Sequence, residues 1–95
     1  MRPKTRVPTH PGEILREDFL RPLGHSPATL AAHLRLSRRS VSEIVRGKKS
    51  VSPRTAWLLS QALGTTPEFW LNLQIAHDLA AKRPKRVVQR LRKAS

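Results

Sequence analysis

The chain has 95 residues, contains no cysteine and carries a formal net charge of +13. This length fits one small domain, and without disulfide bonds that domain must be stabilised by packing alone, as is usual for reduced, intracellular proteins. Apolar runs are only a few residues long, far below the roughly 20 residues that span a bilayer, and the start of the chain lacks the apolar segment of a signal peptide. We therefore expect a cytoplasmic protein.

The excess positive charge lies at the two ends of the chain. Residues 1–12 hold three basic and no acidic residues, residues 13–78 hold nine basic and six acidic residues, and residues 82–93 hold seven basic and no acidic residues. We predict a basic arm over residues 1–9, a folded domain over residues 10–82 and a basic tail over residues 83–95. This distribution favours a polyanionic partner, but it does not distinguish DNA from RNA or a membrane surface.

Proline and glycine divide the middle of the chain into helices. Three Ser/Thr–Pro pairs each predict a helix start, because the hydroxyl can accept a hydrogen bond from a free backbone amide and proline suits the first helical position. Glycines 24, 47 and 64 follow apolar-periodic segments and can end a helix in the left-handed conformation. No segment has the two-residue alternation of a strand. The pattern predicts an all-α domain of five helices, over residues 11–23, 27–34, 38–46, 53–63 and 67–82.

Helical spacing of apolar residues predicts the core. In chain order, the expected core residues are Ile14, Leu15, Phe19 and Leu23, then Leu30, Ala31 and Leu34, then Val41, Ile44 and Val45, then Ala56, Leu59 and Leu63, and finally Phe69, Trp70, Leu73, Ala76 and Leu79.

The connection between the second and third predicted helices is only three residues long, Arg35 to Ser37. A turn this short favours the steep crossing of a helix-turn-helix. Ala31 is small enough for close approach of the third helix, and Leu36 can pack against Val41 one turn into it. The alternative is a plain helical bundle, in which the same residues would only fill a core.

Burial of Val41, Ile44 and Val45 would turn two adjacent arginines outward at the start of the third helix. Cations are unfavourable there against the helix dipole unless an anion binds. In a helix-turn-helix the second helix enters the major groove of DNA, where arginine can donate two hydrogen bonds to guanine. The candidate base contacts are Arg38, Arg39, Ser42 and Arg46, and the candidate phosphate contacts are Ser37, Ser40, Lys48, Lys49 and Ser52. The alternative for Arg38 and Arg39 is a solvated charged face. Glu43 could accept a hydrogen bond from cytosine, but the favoured prediction is an ion pair with a nearby arginine.

With these features the sequence resembles the HigA (VapI) antitoxin family of lambda-repressor-like, XRE-type helix-turn-helix proteins. The resemblance covers roughly residues 8–81 and is carried by "HPGEIL" at 10–15, by the segment 30–74 that ends in "PEFWLNLQ", and by "DLA" at 78–80. It implies a five-helix lambda-repressor-like fold and a homodimer that represses its own promoter at a palindromic operator, nucleoid-associated when bound to DNA. It also implies an antitoxin that neutralises a HigB-type, RelE-like mRNA-cleaving toxin.

The resemblance also assigns residues. Many relatives contact phosphate at the start of the second helix, which implies that role for Ser26 and the Ala28 amide. Many have a glycine-like turn residue at position 35, so Arg35 is expected in the left-handed conformation. RelE-like toxins are basic, so the candidate toxin contacts are the acidic residues of the first helix, Glu13, Glu17 and Asp18. The dimer interface is predicted from the residues themselves: apolar side chains of the fifth helix are the candidates, namely Trp70, Leu71 and Ile75.

Two other functions remain open from the sequence. One is a solitary transcriptional regulator without a toxin. The other is a small basic RNA-binding protein in which Trp57 and Trp70 stack on bases, although their helical spacing favours the core or a dimer interface. The four histidines lack metal-ligand spacing and no cysteine joins them, so we predict no metal, no cofactor and no enzymatic activity.

Overall fold

The computed structural model describes residues 7–94, and within that range it contains five helices and no strand. Helix α1 covers residues 11–23, and the others are α2 (Pro27–Leu34), α3 (Arg38–Val45), α4 (Pro53–Leu63) and α5 (Pro67–Ala81). The predicted all-α, five-helix fold is confirmed. Helices α3 and α5 end one residue earlier than predicted, at Val45 and Ala81. Residues 1–6 of the predicted arm and Ser95 of the predicted tail lie outside the described residues.

Helix α1 changes its winding along its length. It is α-helical over Pro11–Ile14, π-helical over Leu15–Leu20 and α-helical again over Arg21–Leu23. The Arg21 N–H donates to the Arg16 carbonyl, five residues back. The next residue, Pro22, has no N–H, and its ring conflicts with the carbonyl four residues earlier in a regular α-helix. The wider turn lets the chain accommodate this proline while the helix continues to Leu23.

The hydroxyl caps predicted at the three Ser/Thr–Pro pairs are formed, and Ser37 caps α3 in the same way. Side-chain oxygens accept hydrogen bonds from the backbone N–H three residues later, at 3.1 Å for Ser26 and Thr29, 3.0 Å for Ser37 and Ser40, 3.2 Å for Ser52 and Thr55, and 3.1 Å for Thr66 and Phe69. Because each cap satisfies an amide that the helix itself cannot pair, the four caps fix where α2 to α5 begin.

A single core joins all five helices. Its buried apolar residues are Leu15, Leu20, Leu30, Ala31, Leu34, Val41, Ile44, Val45, Val51, Ala56, Leu59 and Trp70. The predicted core residues Ile14, Phe19, Leu63 and Leu73 are partly buried against this cluster.

Four predicted core residues are exposed, and these predictions are wrong. Leu23 lies at the end of α1, beyond the main core. Phe69, Ala76 and Leu79 are exposed on α5, because the stripe that α5 buries passes through Trp70 and Gln74. A polar glutamine thus occupies a core position, and the buried face is rotated away from the face that the apolar residues alone predict.

The turn between α2 and α3 depends on an unusual backbone conformation. Arg35 has φ 57° and ψ 41°, and it is the sole non-glycine residue with positive φ among residues 7–94. In this conformation the Leu36 N–H donates to the Ala31 carbonyl at 2.9 Å, which satisfies the end of α2. A left-handed L-residue costs about 1–2 kcal/mol, so the turn is formed at some expense of stability.

No helix in the described part of the chain combines the length and the apolar composition needed to cross a membrane.

Candidate nucleic-acid interface

Helix α3 has one apolar face and one cationic face. Val41, Ile44 and Val45 are buried against the core, and α3 packs on both α2 and the start of α1. On the opposite side the predicted base-contact residues Arg38 and Arg39 are exposed, and Arg46 is exposed directly after the helix. Ser42, the fourth of them, is half-buried beside this face. The four residues therefore share the outward side of the helix-turn-helix.

The two arginines at the start of α3 differ in their surroundings. The Arg39 Nε lies 3.6 Å from the Glu43 Oε1, one turn along the helix, and the Arg39 side chain is 89% exposed. Such an exposed pair contributes little stability, so the guanidinium is available to a ligand. No carboxylate within residues 7–94 pairs with Arg38. The predicted ion pair of Glu43 with an arginine is present.

Two lysines extend the cationic face beyond α3. The backbone N–H groups of Lys48 and Lys49 both donate to the Glu43 carbonyl, at 2.8 and 3.2 Å. The Lys49 Nζ turns back and donates to the Ser40 Oγ at 2.9 Å. Residues 35–54 together hold seven basic residues and one acidic residue. This segment therefore forms a strongly cationic surface, as contact with phosphates requires.

The remaining candidate phosphate contacts lie at helix starts. Ser26, Ser37 and Ser52 are exposed and cap α2, α3 and α4, and the half-buried Ala28 lies in the first turn of α2. Backbone amides at a helix start carry partial positive charge and suit an anion. The structure thus places all of these residues where a phosphate contact is chemically reasonable, and the contacts themselves stay predictions.

The support behind α3 includes a contact that sequence reasoning missed. Gly12 in α1 lies so close to α3 that a Cβ at this position would overlap the Ile44 carbonyl oxygen. The N–H of Gly12 donates to the Nδ1 of His10 at 2.9 Å, so His10 caps α1. A glycine in the first turn of a helix, where it lowers helix stability, was the available signal for a close approach.

His10 also contacts α5. Its ring lies edge-on to the ring of His77, with the centroids 4.9 Å apart, and the His77 Nδ1 lies 2.8 Å from the Pro8 carbonyl oxygen. The pKa of His10 is below its ordinary value because burial disfavours the imidazolium and because His77 is close, while Asp78 opposes the shift. Since Nδ1 must be unprotonated to accept from Gly12, the low pKa preserves the cap at neutral pH.

The candidate toxin contacts are not equivalent. Glu13 and Asp18 are exposed on α1. Glu17 is half-buried, and its two carboxylate oxygens lie 3.1 Å from the Arg16 Nε and 3.0 Å from an Arg21 nitrogen. Because its charge is already balanced within α1, Glu17 has less to offer a basic partner than Glu13 and Asp18.

The candidate dimer interface needs one correction. Trp70 is fully buried, with its indole N–H donating to the Thr65 Oγ1 at 2.7 Å, so assigning it to an interface was wrong. Its bulk fills the core beside the rings of Phe19 and Phe69. Leu71 is half-buried and Ile75 is 55% exposed, so both remain on the surface of α5.

Two further observations concern base stacking and metal binding. Trp57 is exposed whereas Trp70 is buried, so the two indoles do not form a shared stacking platform. Among residues 7–94 there is no group of three His, Cys, Asp or Glu residues that could hold a metal ion.

Two short helices that are joined by a tight turn, the second with an exposed outer face, are the arrangement of helix-turn-helix proteins. The family model described as Helix-turn-helix matches residues 15–70, and the chain belongs to this family.

Within this class the chain is similar to several antitoxins. Antitoxin HigA-1 of Vibrio cholerae is 43% identical over 79 residues, which are 83% of this chain and 74% of that protein. The solved structure of Pseudomonas aeruginosa antitoxin HigA with the higBA promoter has a TM-score of 0.77 and 43% identity, and covers 79% of this chain and 82% of that one. The solved structure of antitoxin GraA in complex with its operator has a TM-score of 0.75 and 40% identity, and covers 94% of this chain and 100% of that one. The chain therefore belongs to the HigA family.

Proposed function

We propose that this protein is a sequence-specific repressor that binds double-stranded DNA and is the antitoxin of a HigB–HigA-like type II toxin–antitoxin system. The observation that carries the proposal is the exposed cationic face of α3, in a fold whose solved relatives include HigA with the higBA promoter and GraA with its operator. The family is one of DNA-binding regulators and antitoxins, and we assign no catalytic activity and no cofactor to the chain.

In this function α3 enters the major groove. Arg38 and Arg39 lie at its first turn, where side chains come closest to base edges, and each can donate two hydrogen bonds to a guanine. Ser42 and Arg46 continue the same face. Contacts to the phosphates fix the register of α3 on the duplex. They are made by Lys48 and Lys49 and by residues at or near the starts of α2, α3 and α4, namely Ser26, Ala28, Ser37, Ser40 and Ser52.

Repression by this geometry requires two copies of the chain. One α3 spans a single half-site, so a homodimer binds a palindromic operator with its two α3 helices about 34 Å apart. Leu71 and Ile75 on α5 supply part of the interface, since they are apolar and at least partly accessible in the single chain. The chain works in the cytoplasm, at its own promoter on the nucleoid.

Neutralisation of a basic, RelE-like mRNA-cleaving toxin is assigned to α1. Glu13 and Asp18 offer exposed carboxylates there, whereas Glu17 is balanced by two arginines. Copurification tests this assignment: an untagged toxin encoded beside the gene is expected to be retained by the tagged protein. Reproducible absence of such a toxin would instead favour a solitary regulator.

Binding of double-stranded DNA is tested by selecting duplexes from a random pool. The expected product is a palindromic sequence with guanine at matched positions of its two halves. Binding of the protein to this sequence should persist in excess non-specific competitor DNA. If the selection enriched no sequence while single-stranded RNA was bound tightly, the alternative of a small RNA-binding protein would replace this function. The basic tail over residues 83–95 is assigned added phosphate affinity and no part in base recognition.

A further inference from the structure

Gln74 on α5 is a buried polar residue that the base and phosphate contacts above do not use. It is 5% exposed, and both ends of its side-chain amide are hydrogen-bonded. Its Oε1 accepts from the backbone N–H of Val51 at 2.8 Å, and its Nε2 donates to the Asp78 Oδ1 at 3.0 Å. The first of these bonds joins α5 to the loop between α3 and α4, 23 residues away in the sequence.

Asp78 determines which way the Gln74 amide points. An ionised carboxylate only accepts hydrogen bonds, so the NH₂ end of Gln74 must face Asp78. The carbonyl end must then face Val51, where a buried backbone N–H requires an acceptor. The two bonds therefore select one orientation of the glutamine amide.

This bond holds the far end of the loop that carries the two lysines. At its near end, the N–H groups of Lys48 and Lys49 are bonded to the Glu43 carbonyl. At its far end, the Val51 side chain is buried and its N–H is bonded to Gln74. The loop backbone is thus fixed at one end to α3 and at the other to α5.

We propose that Gln74 is a positioning residue for DNA binding, which places Lys48 and Lys49 against the phosphate backbone through its bond to Val51. Without that bond the Val51 N–H would have to leave the core or stay unpaired, and the loop backbone would move with it. This inference rests on the part of the proposed function that concerns DNA binding, and it requires neither a toxin nor base-specific recognition.

The test is a mutant cycle on duplex affinity that combines Gln74→Met with the double change Lys48→Ala and Lys49→Ala. Methionine keeps the length of the side chain and removes both hydrogen bonds. Loss of the two lysine contacts is expected to make the slope of log K against log salt shallower by about 2, at roughly 0.9 for each phosphate. If Gln74 acts through the lysines, Gln74→Met makes the slope shallower by about 1–2 and has no further effect once both lysines are alanine.

Gln74→Glu separates positioning from stability. Glutamate keeps an oxygen acceptor for Val51 but places a second carboxylate beside Asp78, so this variant should be the less stable of the two and yet keep the lysine contribution to the slope. If DNA affinity instead followed the melting temperature of the variants, the residue would be merely structural and the proposal would be wrong. Gln61→Met is the matched control, since Gln61 is exposed on α4, and it should change neither quantity.

Two further outcomes overturn the inference: effects of Gln74→Met and the lysine changes that simply add, or an unchanged salt slope in Gln74→Met. If that variant does not fold, Asp78→Asn replaces it, because an asparagine no longer forces the glutamine orientation, and the same non-additivity is expected on a smaller scale.

Phosphate contacts do not depend on base sequence, so the cycle is measured on an arbitrary duplex as well as on a selected operator. A lack of sequence preference would then count against the proposed function alone.

Discussion

The two sides of α3 are built by different means. The outward side carries exposed basic side chains, continued by the lysines that follow the helix. These side chains make only weak contacts: Arg39 forms an exposed ion pair with Glu43, and Lys49 donates a surface hydrogen bond to Ser40. The inward side is held by buried apolar packing and by the contact of Gly12 with the Ile44 carbonyl. The groups proposed to bind DNA are thus loosely held on a backbone that is tightly held. We expect changes on the outward side to alter DNA binding without altering stability, and changes on the inward side to lower stability.

The largest expected effect is on the inward side. Gly12→Ala places a Cβ where the Ile44 carbonyl oxygen already lies, so α1 and α3 must separate. We expect a loss of about 3 kcal/mol in the free energy of unfolding, at the upper end of the usual range for overpacking, measured by urea denaturation. Gly24→Ala is the control: Gly24 has no atom within 4 Å of its added Cβ, and this change should cost only the left-handed conformation, about 1 kcal/mol. Equal losses in the two variants would mean that Gly12 does not form a tight contact.

The matching test on the outward side is Arg39→Ala. Its side chain is 89% exposed, so the melting temperature should stay unchanged. Affinity for the selected operator should fall by about 1–3 kcal/mol, while affinity for a duplex altered at the contacted guanine should change much less. Competitive binding to the two duplexes measures this difference. A uniform loss on both would contradict base recognition by Arg39, and Arg21→Ala on α1 is the control for removal of a positive charge.

A smaller effect is expected at the turn between α2 and α3. Arg35→Gly relieves the left-handed strain, and the gain is partly offset by the greater flexibility of glycine in the unfolded chain. We expect the free energy of unfolding to rise by roughly 0.5–1 kcal/mol, with unchanged base preference in the duplex selection. A loss of stability would show that the Arg35 side chain contributes more than the strain costs.

The smallest expected effect is the pH dependence due to His10. Its folded pKa is below the ordinary value of 6.5, so the unfolded chain binds a proton more readily. The contribution to stability is therefore full above pH 6.5 and is lost as the pH falls through 6.5 and then through the folded pKa. Denaturation between pH 8 and pH 5, at roughly half-unit steps, measures it. His10→Asn keeps a capping oxygen without titrating, so it should lessen this dependence, and an unchanged pH profile would exclude His10 as its source.

The sequence predicted the exposed face of α3 better than the buried contacts that hold α3 and the following loop in place. Hydroxyl–proline pairs and glycines marked where the helices begin and end, and the strong apolar pattern of α3 fixed which residues face outward. On α5 the apolar residues exceed the space in the core, so spacing alone could not show that Gln74 is buried while Leu79 is exposed. Nor can spacing detect a backbone contact such as that of Gly12 with Ile44, which joins residues far apart in the chain.

One feature of the C-terminal region bears on protein engineering. Helix α5 ends at Ala81, and Pro84 follows before a new helical turn can form, while residues 83–94 are exposed and lie outside any helix. A fluorophore, a purification tag or a tethered second copy should therefore disturb the packing of the core little when it is attached beyond this proline. The site is suited to reporters of folding, whereas a reporter of DNA binding would lie within the tail that is assigned phosphate affinity.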